Sequence, residues 1–256
     1  MTWIEPKAEP SFPPLLSGRQ VIAGESPGNA ALAGVRDGSL GAGDILWGSD
    51  PSLVEVAIVL EPDVAFNKAA QMLPLAMVAA GDCIGAIAPP QVGVMFRWPG
   101  YVSVNGAPVG TVGVVMDSDT LDANGLHAPS WLIVNLLLRM HLPQPEHEPG
   151  QTPGMTALAE EGCEDLSHLD VIGSFARHFL TWLNIWQDGG FRPIHVAWMQ
   201  RADGRDAGIN IPGHPSPVVV TGMDDEGNLL VRTSDHPGPV TALALIDAIE
   251  LGGASR

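Results

Sequence analysis

The sequence predicts an α+β protein: a mixed β-sheet with packed helices, followed by a small C-terminal β domain. Three observations predict it. Apolar runs at 101–104 and 109–116 are joined by Asn105-Gly106, and both turn residues tolerate the positive φ of a tight hairpin. Residues 65–80 are apolar nearly all round, as in a buried helix, while Phe175, Phe179, Trp182 and Trp186 recur at i, i+4, i+7 and i+11 on one face of another. In the tail, apolar runs at 218–221 and 229–232 flank the Asp/Gly-rich turn 224–228, a strand–turn–strand pattern.

Taken in order, residues 1–16 are Pro-rich and read as an extended arm lying on the body. From 21 to 47 the pattern is strand, helix, strand. Ser26-Pro27-Gly28-Asn29 caps a helix through 30–35, Asp37-Gly38 ends it, and Gly43-Asp44 leads into Ile45-Leu46-Trp47. A short loop, Gly48-Ser49-Asp50-Pro51-Ser52, precedes a buried strand at 54–60. The helix at 65–80 contains Pro74, which predicts a kink. Residues 86–91 connect it to a strand at 92–96. Arg97-Trp98-Pro99-Gly100 then makes a sharp lead-in to the hairpin, with Pro fixing φ and Gly freeing it. An Arg and a Trp there could hold an anionic or planar ligand; the plainer reading is an exposed Arg stem on a packed Trp.

Residues 117–125 form an acidic turn whose Asp spacing does not match a calcium loop. A strand at 131–140 and a Pro-rich loop at 142–155 follow. Ser167-x-x-Asp170 is a variant capping box ahead of the aromatic-striped helix, which Gly189-Gly190 ends. A second helix covers 195–201 and carries Trp198. A short helix at 241–251 closes the chain.

Composition excludes several functions. With 256 residues and 45% hydrophobic content the chain buries a sizeable core, in one large domain or one plus a small appendage. A net charge of −17, with Lys7 and Lys68 the only lysines, repels nucleic acid and anionic membrane. The N-terminus lacks the basic and apolar regions of a signal peptide. The most apolar run, near 73–80, is short and Pro-interrupted for a bilayer span, so a soluble cytosolic protein is expected. Cys83 and Cys163 lack metal spacing and read as small packed residues. His141 and His147 lack a third ligand at a recognised spacing and read as surface histidines.

Arg97-Trp98-Pro99, the Asn105-Gly106 turn and the return strand Val109-Gly110-Thr111-Val112 resemble the signature hairpin of biotin protein ligases and, more loosely, of lipoate ligases and octanoyl transferases. That hairpin reads Lys-Trp-Pro-Asn-Asp, a strand, a turn, a Lys and a Gly-containing strand. Ser26 and Asn29 resemble the outer members of the family's Ser-Thr-Asn triplet, and Thr156–Gly162 resembles its Thr-Ser-Leu-x-x-x-Gly segment. The tail resembles the family's small SH3-like C-terminal domain. The resemblance runs from about Val21 to about Val240. It implies an N-terminal arm at 1–20, a ligase-like domain at 21–210 and an SH3-like domain at 211–256, with no room for an N-terminal winged-helix domain.

Three departures bear on chemistry. The family's Gly-Arg-Gly-Arg-x-Gly loop, which cradles phosphates, is reduced to the cation-free 48–52 turn. The Lys expected after the hairpin turn is replaced by Ala107-Pro108, and a fixed cation there would stabilise a phosphoryl transition state. The Gly-x-Gly-x-Asn strand end is matched by Asn135, Leu137 and Arg139, without the glycines that admit a ligand to the backbone. Arg139 either replaces part of the lost charge or flanks a surface loop, and the second is the simpler reading.

The resemblance thus implies a divergent member binding a small carboxylate or acyl ligand, with ATP-dependent ligation doubtful. Alternatives are an active biotin, lipoyl or acyl protein ligase or transferase with a rearranged site, and a non-enzymatic interaction module with an acidic surface. Ligand-binding candidates are Ser26, Asn29, Arg97, Trp98, Asn105, Gly110 and Arg139; no catalytic residue is assigned and no metal is expected. If the family activity survives, biotin or lipoate and ATP are the cofactors and an acyl or biotinyl carrier protein is the partner. The resemblance also admits a homodimer.

Overall fold

The computed structural model describes residues 9–119, 121, 126–142, 154–212, 214–234 and 238–252. Lys7, His147, part of the acidic turn and most of the Pro-rich loop lie outside them.

A mixed eight-stranded sheet forms the frame. Its strands are β1 (Ser17–Gln20), β2 (Asp44–Trp47), β3 (Leu53–Leu60), β4 (Val94–Arg97), β5 (Tyr101–Val104), β6 (Ala107–Met116), β7 (Leu132–Arg139) and β11 (Glu250–Leu251). The order is β1-β2-β3-β7-β6-β5-β4, with β11 parallel to the far half of β6. β1 lies parallel to β2; the pairs from β2 to β4 are antiparallel. The sequence places the first strand at Val21. It lies just upstream instead, in the polar stretch Ser17–Gln20, exposed along its whole length at the sheet edge.

The Asn105-Gly106 hairpin forms as the sequence predicts, with φ of 49° and 88° at its two turn residues. It belongs to a three-stranded meander, because Arg97-Trp98-Pro99-Gly100 also turns tightly, letting β4 fold onto β5. The register of β5 on β6 shifts by one between Val102 and Ser103, a bulge close to the turn.

Helices cover the two faces unequally. On the inner face lie α2 (Phe66–Ala69), α3 (Met72–Ile87), α4 (His168–Gly189) and α5 (Arg192–Gln200), packed over one large apolar cluster. The predicted helix at 65–80 is broken at Ala70-Gln71 and continues to Ile87. Pro74 falls in the first turn of α3, where its missing N–H is no loss, so it does not kink an interior. The combined run Phe66–Ile87, at 22 residues, is longer than the sequence reading allowed, yet 78% of its most apolar window is buried inside the protein. It is the core helix of the fold.

Ser167 caps α4 by accepting from Asp170 N at 3.2 Å, and Gly190 ends it. Phe175 and Phe179 are buried in the core, while Trp182 and Trp186 sit at its edge and donate their indole N–H groups to Asp82 and Gln71, both at 2.8 Å. Trp198 of α5 is buried edge-on to Trp98, with ring centroids 6.4 Å apart.

On the outer face α1 (Pro27–Asp37) covers one end only. Ala31 and its neighbours seal Val59, Val115 and Ile133 in a second, smaller apolar cluster. Gly38, at φ 76°, ends the helix by donating to Gly34 O.

The tail builds a separate antiparallel three-stranded sheet from β8 (Val218–Met223), β9 (Leu229–Thr233) and β10 (Thr241–Leu243). The predicted strand–turn–strand is present, with Asp224 accepting from Glu226 N and Asn228 N to tie the turn. The helix predicted at 241–251 is not. That stretch is β10, one 3₁₀ turn at Leu245–Ala248, and β11, because the free edges of β9 and β6 offer backbone partners that outweigh local helix propensity.

Candidate functional site

Strand alternation and register together make a site on the half of the outer face that α1 leaves open. Arg97 of β4 lies opposite Tyr101 of β5, Tyr101 opposite Thr111 of β6, Thr111 opposite Leu137 of β7, and Leu137 opposite Glu55 of β3. These residues form one row across the sheet, about 19 Å long at ~4.8 Å per strand. The next row toward α1 is Gly113, Asn135 and Ala57, and the one beyond it disappears beneath the helix.

Two cavities sit on this face. The first, about 310 Å³, lies at the start of α1 and is lined by Ser26, Gly28, Asn29, Glu55, Gly113, Asn135 and Glu250, among others. The second, about 350 Å³, lies over the meander and is lined by Arg97, Tyr101, Ser103, Pro108, Gly110, Arg139 and a few neighbours. Thr111 borders both, so they adjoin along β6.

The two ends differ in charge. At the first cavity the only charged lining residues among those described are Glu55 and Glu250. Burial, and then the nearby Asp50, raises the Glu55 carboxyl above the ordinary glutamate range. The donors here are neutral: the side-chain amides of Asn29 and Asn135, and the first-turn N–H groups of α1 that have no partner within the helix. A smaller cavity of about 240 Å³ continues past Glu55 to Glu25 and Asp50. The 48–52 turn carries no cation and is tied down by Asp50, which accepts from Ser52 N at 2.8 Å and Ser52 Oγ at 2.7 Å. Those bonds hold the Asp50 carboxyl below its usual range.

Among the described residues lining the second cavity the charged ones are Arg97 and Arg139. Arg97 donates through Nε and Nη2 to Asp203 Oδ2, at 2.9 and 2.6 Å. Asp203 is held beside β4 by its own N–H, which bonds Phe96 O. Arg139 donates through Nη1 to Pro108 O at 3.3 Å.

Of the sequence-derived candidates, the structure brings Ser26 and Asn29 together at the first cavity, and Arg97, Gly110 and Arg139 at the second. Gly110 packs so closely on β7 that a Cβ would run into Leu137 O. Trp98 points the other way, into the core, and touches a different cavity of about 420 Å³ together with Ile211, His214 and Asp247. Asn105 lines neither cavity of the open face; it ties the hairpin by accepting from Gly93 N at 2.9 Å and donating to Glu161 at 2.6 Å. Glu55, Ser103, Thr111 and Glu250 are site residues that sequence reasoning did not select. The signal for the first three was a polar residue at an alternate position of an apolar strand. Glu250 carries no such signal, since the sequence predicts a helix where β11 forms.

Among the described residues no group of His, Cys, Asp and Glu is placed to hold a metal. Both cysteines are buried and free; burial pushes the Cys83 thiol up to about 12 and raises that of Cys163, so neither presents a thiolate.

The model of the Biotin/lipoate A/B protein ligase family matches residues 12–200. A biotin–[acetyl-CoA-carboxylase] ligase of Paracoccus denitrificans is 28% identical over 182 residues, 68% of this chain and 72% of that protein. A crystal structure of a biotin protein ligase-like protein of unknown function from Silicibacter sp. TM1040 is similar at TM-score 0.81 and 31% identity, covering 94% of this chain and 99% of the other. The biotin protein ligase of Aquifex aeolicus, solved in complex with biotin and ATP, shares the fold at TM-score 0.68 and 13% identity, over 89% of this chain and 95% of its own.

Proposed function

Because the chain belongs to the biotin/lipoate A/B protein ligase family, we propose that it binds a small carboxylate or acyl ligand on the open outer face of its large sheet and carries out ATP-dependent ligation poorly or not at all. One observation carries this reading. The turn at 48–52, beside the first cavity, holds Asp50 and no cation, and the charged groups lining that cavity are the carboxylates Glu55 and Glu250. A triphosphate needs fixed positive charge and oriented donors. Removing one such donor costs on the order of 10²–10³ in rate, so a site without an arginine loop or a hairpin lysine retains little adenylation.

The surroundings favour an acid over a nucleotide. Neutral donors and acceptors at the α1 end suit an amide-like or uncharged polar head, and the arginines at the other end suit an anion. Those arginines also support a second reading, an active ligase or transferase with a rearranged site. In that case biotin or lipoate and ATP would be used, and a carrier protein would be the acceptor; the Paracoccus protein is named for biotin and acetyl-CoA carboxylase, and the Aquifex ligase was solved with biotin and ATP.

Thermal unfolding with biotin, lipoate, octanoate, ATP and the corresponding adenylates separates the readings. A ligand at a hundred times its Kd stabilises the native state by about 2.7 kcal/mol. A shift with a free acid and none with ATP is expected. ATP–pyrophosphate exchange that depends on biotin or lipoate and disappears in Arg97→Ala would overturn the proposal in favour of an active ligase.

A further inference from the structure

Ser103 has no role in the fold that its surroundings explain. It is a polar residue only 8% exposed, in the middle of β5, and its hydroxyl has no hydrogen-bond partner among the described residues. A buried hydroxyl without a protein partner is costly unless a water, an ion or a ligand completes it. Ser103 lines the second cavity, as do Arg97 and Arg139.

The two arginines reach this cavity from different strands, and each is only partly used. Arg97 spends Nε and Nη2 on Asp203, which leaves Nη1. Arg139 spends one N–H on Pro108 O, which fixes its guanidinium against the first residues of β6 and leaves its remaining N–H groups. Among the described residues at this cavity two guanidinium charges are set against the single Asp203 carboxylate, a balance of about one positive charge that suits a monoanion.

We propose that the cavity over the meander is a carboxylate subsite in which Arg139 and the Ser103 hydroxyl are the principal donors and Arg97 supplies the second charge. The proposal rests on the reading that this face binds a small acid, and it assigns the end of the ligand that is read there. The cation comes from β7, across the strand pair from the hairpin turn, and this changes which residue a loss-of-binding experiment must target.

The test follows the arginine Nε–H signals of ¹⁵N-labelled protein by NMR, assigned with Arg97→Lys and Arg139→Lys. Sodium acetate, inorganic phosphate and sodium chloride are titrated separately at matched ionic strength. Saturable shifts of Arg139 and Arg97 with acetate, weaker with phosphate and absent with chloride, are expected. Ser103→Ala should weaken acetate about tenfold while leaving the fold unchanged, since it removes an unsatisfied group. Arg139→Gln should abolish the saturable shift at Arg97.

Equal responses to acetate and chloride, tighter binding of phosphate, or an unchanged affinity in Ser103→Ala would overturn the subsite. Biotin, lipoate and octanoate are titrated in the same way. Acetate binding at Arg139 with no binding of the three acids would support the subsite and count against the broader ligand reading. Binding of an acid that survives Arg139→Gln would do the reverse.

Discussion

Gly113→Val separates the fold from the site. Gly113 lines the first cavity, and a Cβ at this position would meet nothing within 4 Å. Its φ is not in the left-handed region, so a β-branched residue suits the strand. A glycine inside a strand costs roughly 0.5–1 kcal/mol relative to a residue with a side chain. The variant should therefore be as stable as the parent in urea, or more stable by up to about that amount. The same side chain projects into the space where the ligand's polar head would lie, between Asn29 and Asn135. Overpacking of that kind costs about 1–3 kcal/mol, so affinity for the free acid found in the thermal screen should fall roughly 5- to 150-fold. Urea unfolding and a ligand titration of the two proteins are the assays. Binding within twofold of the parent would show that the ligand does not use this cavity. A loss of stability above 1 kcal/mol would show that the space is not open.

Gly110→Ala, three residues earlier on the same strand, should do the opposite: its Cβ would press on Leu137 O, and a loss of about 2 kcal/mol in urea is expected, an unchanged midpoint arguing that β6 and β7 part easily. Gln71→Ala strips the buried partner from Trp186 Nε1 and from Asp225 O, joining the helical layer to the β8–β9 turn. It should cost about 2 kcal/mol, and a double-mutant cycle with Trp186→Phe should show coupling rather than additivity. Glu55 has a raised pKa, chiefly through burial and then through Asp50, so its ionisation opposes folding. The penalty is absent below the ordinary glutamate pKa, builds as pH rises through that range, and is complete above the folded-state pKa. Glu55→Gln should therefore stabilise at neutral pH with the gain vanishing in acid, as measured by unfolding at several pH values; a constant gain would exclude the titration.

Where an element is specified by neighbouring residues, the sequence was sufficient. Asn105-Gly106 sets a hairpin on its own, Ser167 caps α4 within one turn, and the aromatic period of that helix marks its buried face. Where an element is specified by a distant partner, it was not. Ser17–Gln20 has no apolar alternation and becomes a strand only because β2 lies beside it. The last residues look helical and are drawn out by the edge of β6. The site divides in the same way. Ser26, Asn29, Arg97, Gly110 and Arg139 stood out through a resemblance read along the chain. Glu55, Thr111 and Ser103 join them only once register sets five strands side by side.

The row from Arg97 to Glu55 takes one residue from each of five strands, and the residues flanking its members, Gly100 and Gly110 apart, are buried in the core. Recognition and stability are thus written on alternate letters of the same text. Any one letter of the row can be exchanged, a cation for a carboxylate or a leucine for a polar group, without rewriting the hydrophobic message between. A lineage can in this way keep the architecture of the sheet while its appetite for ligands drifts one strand at a time.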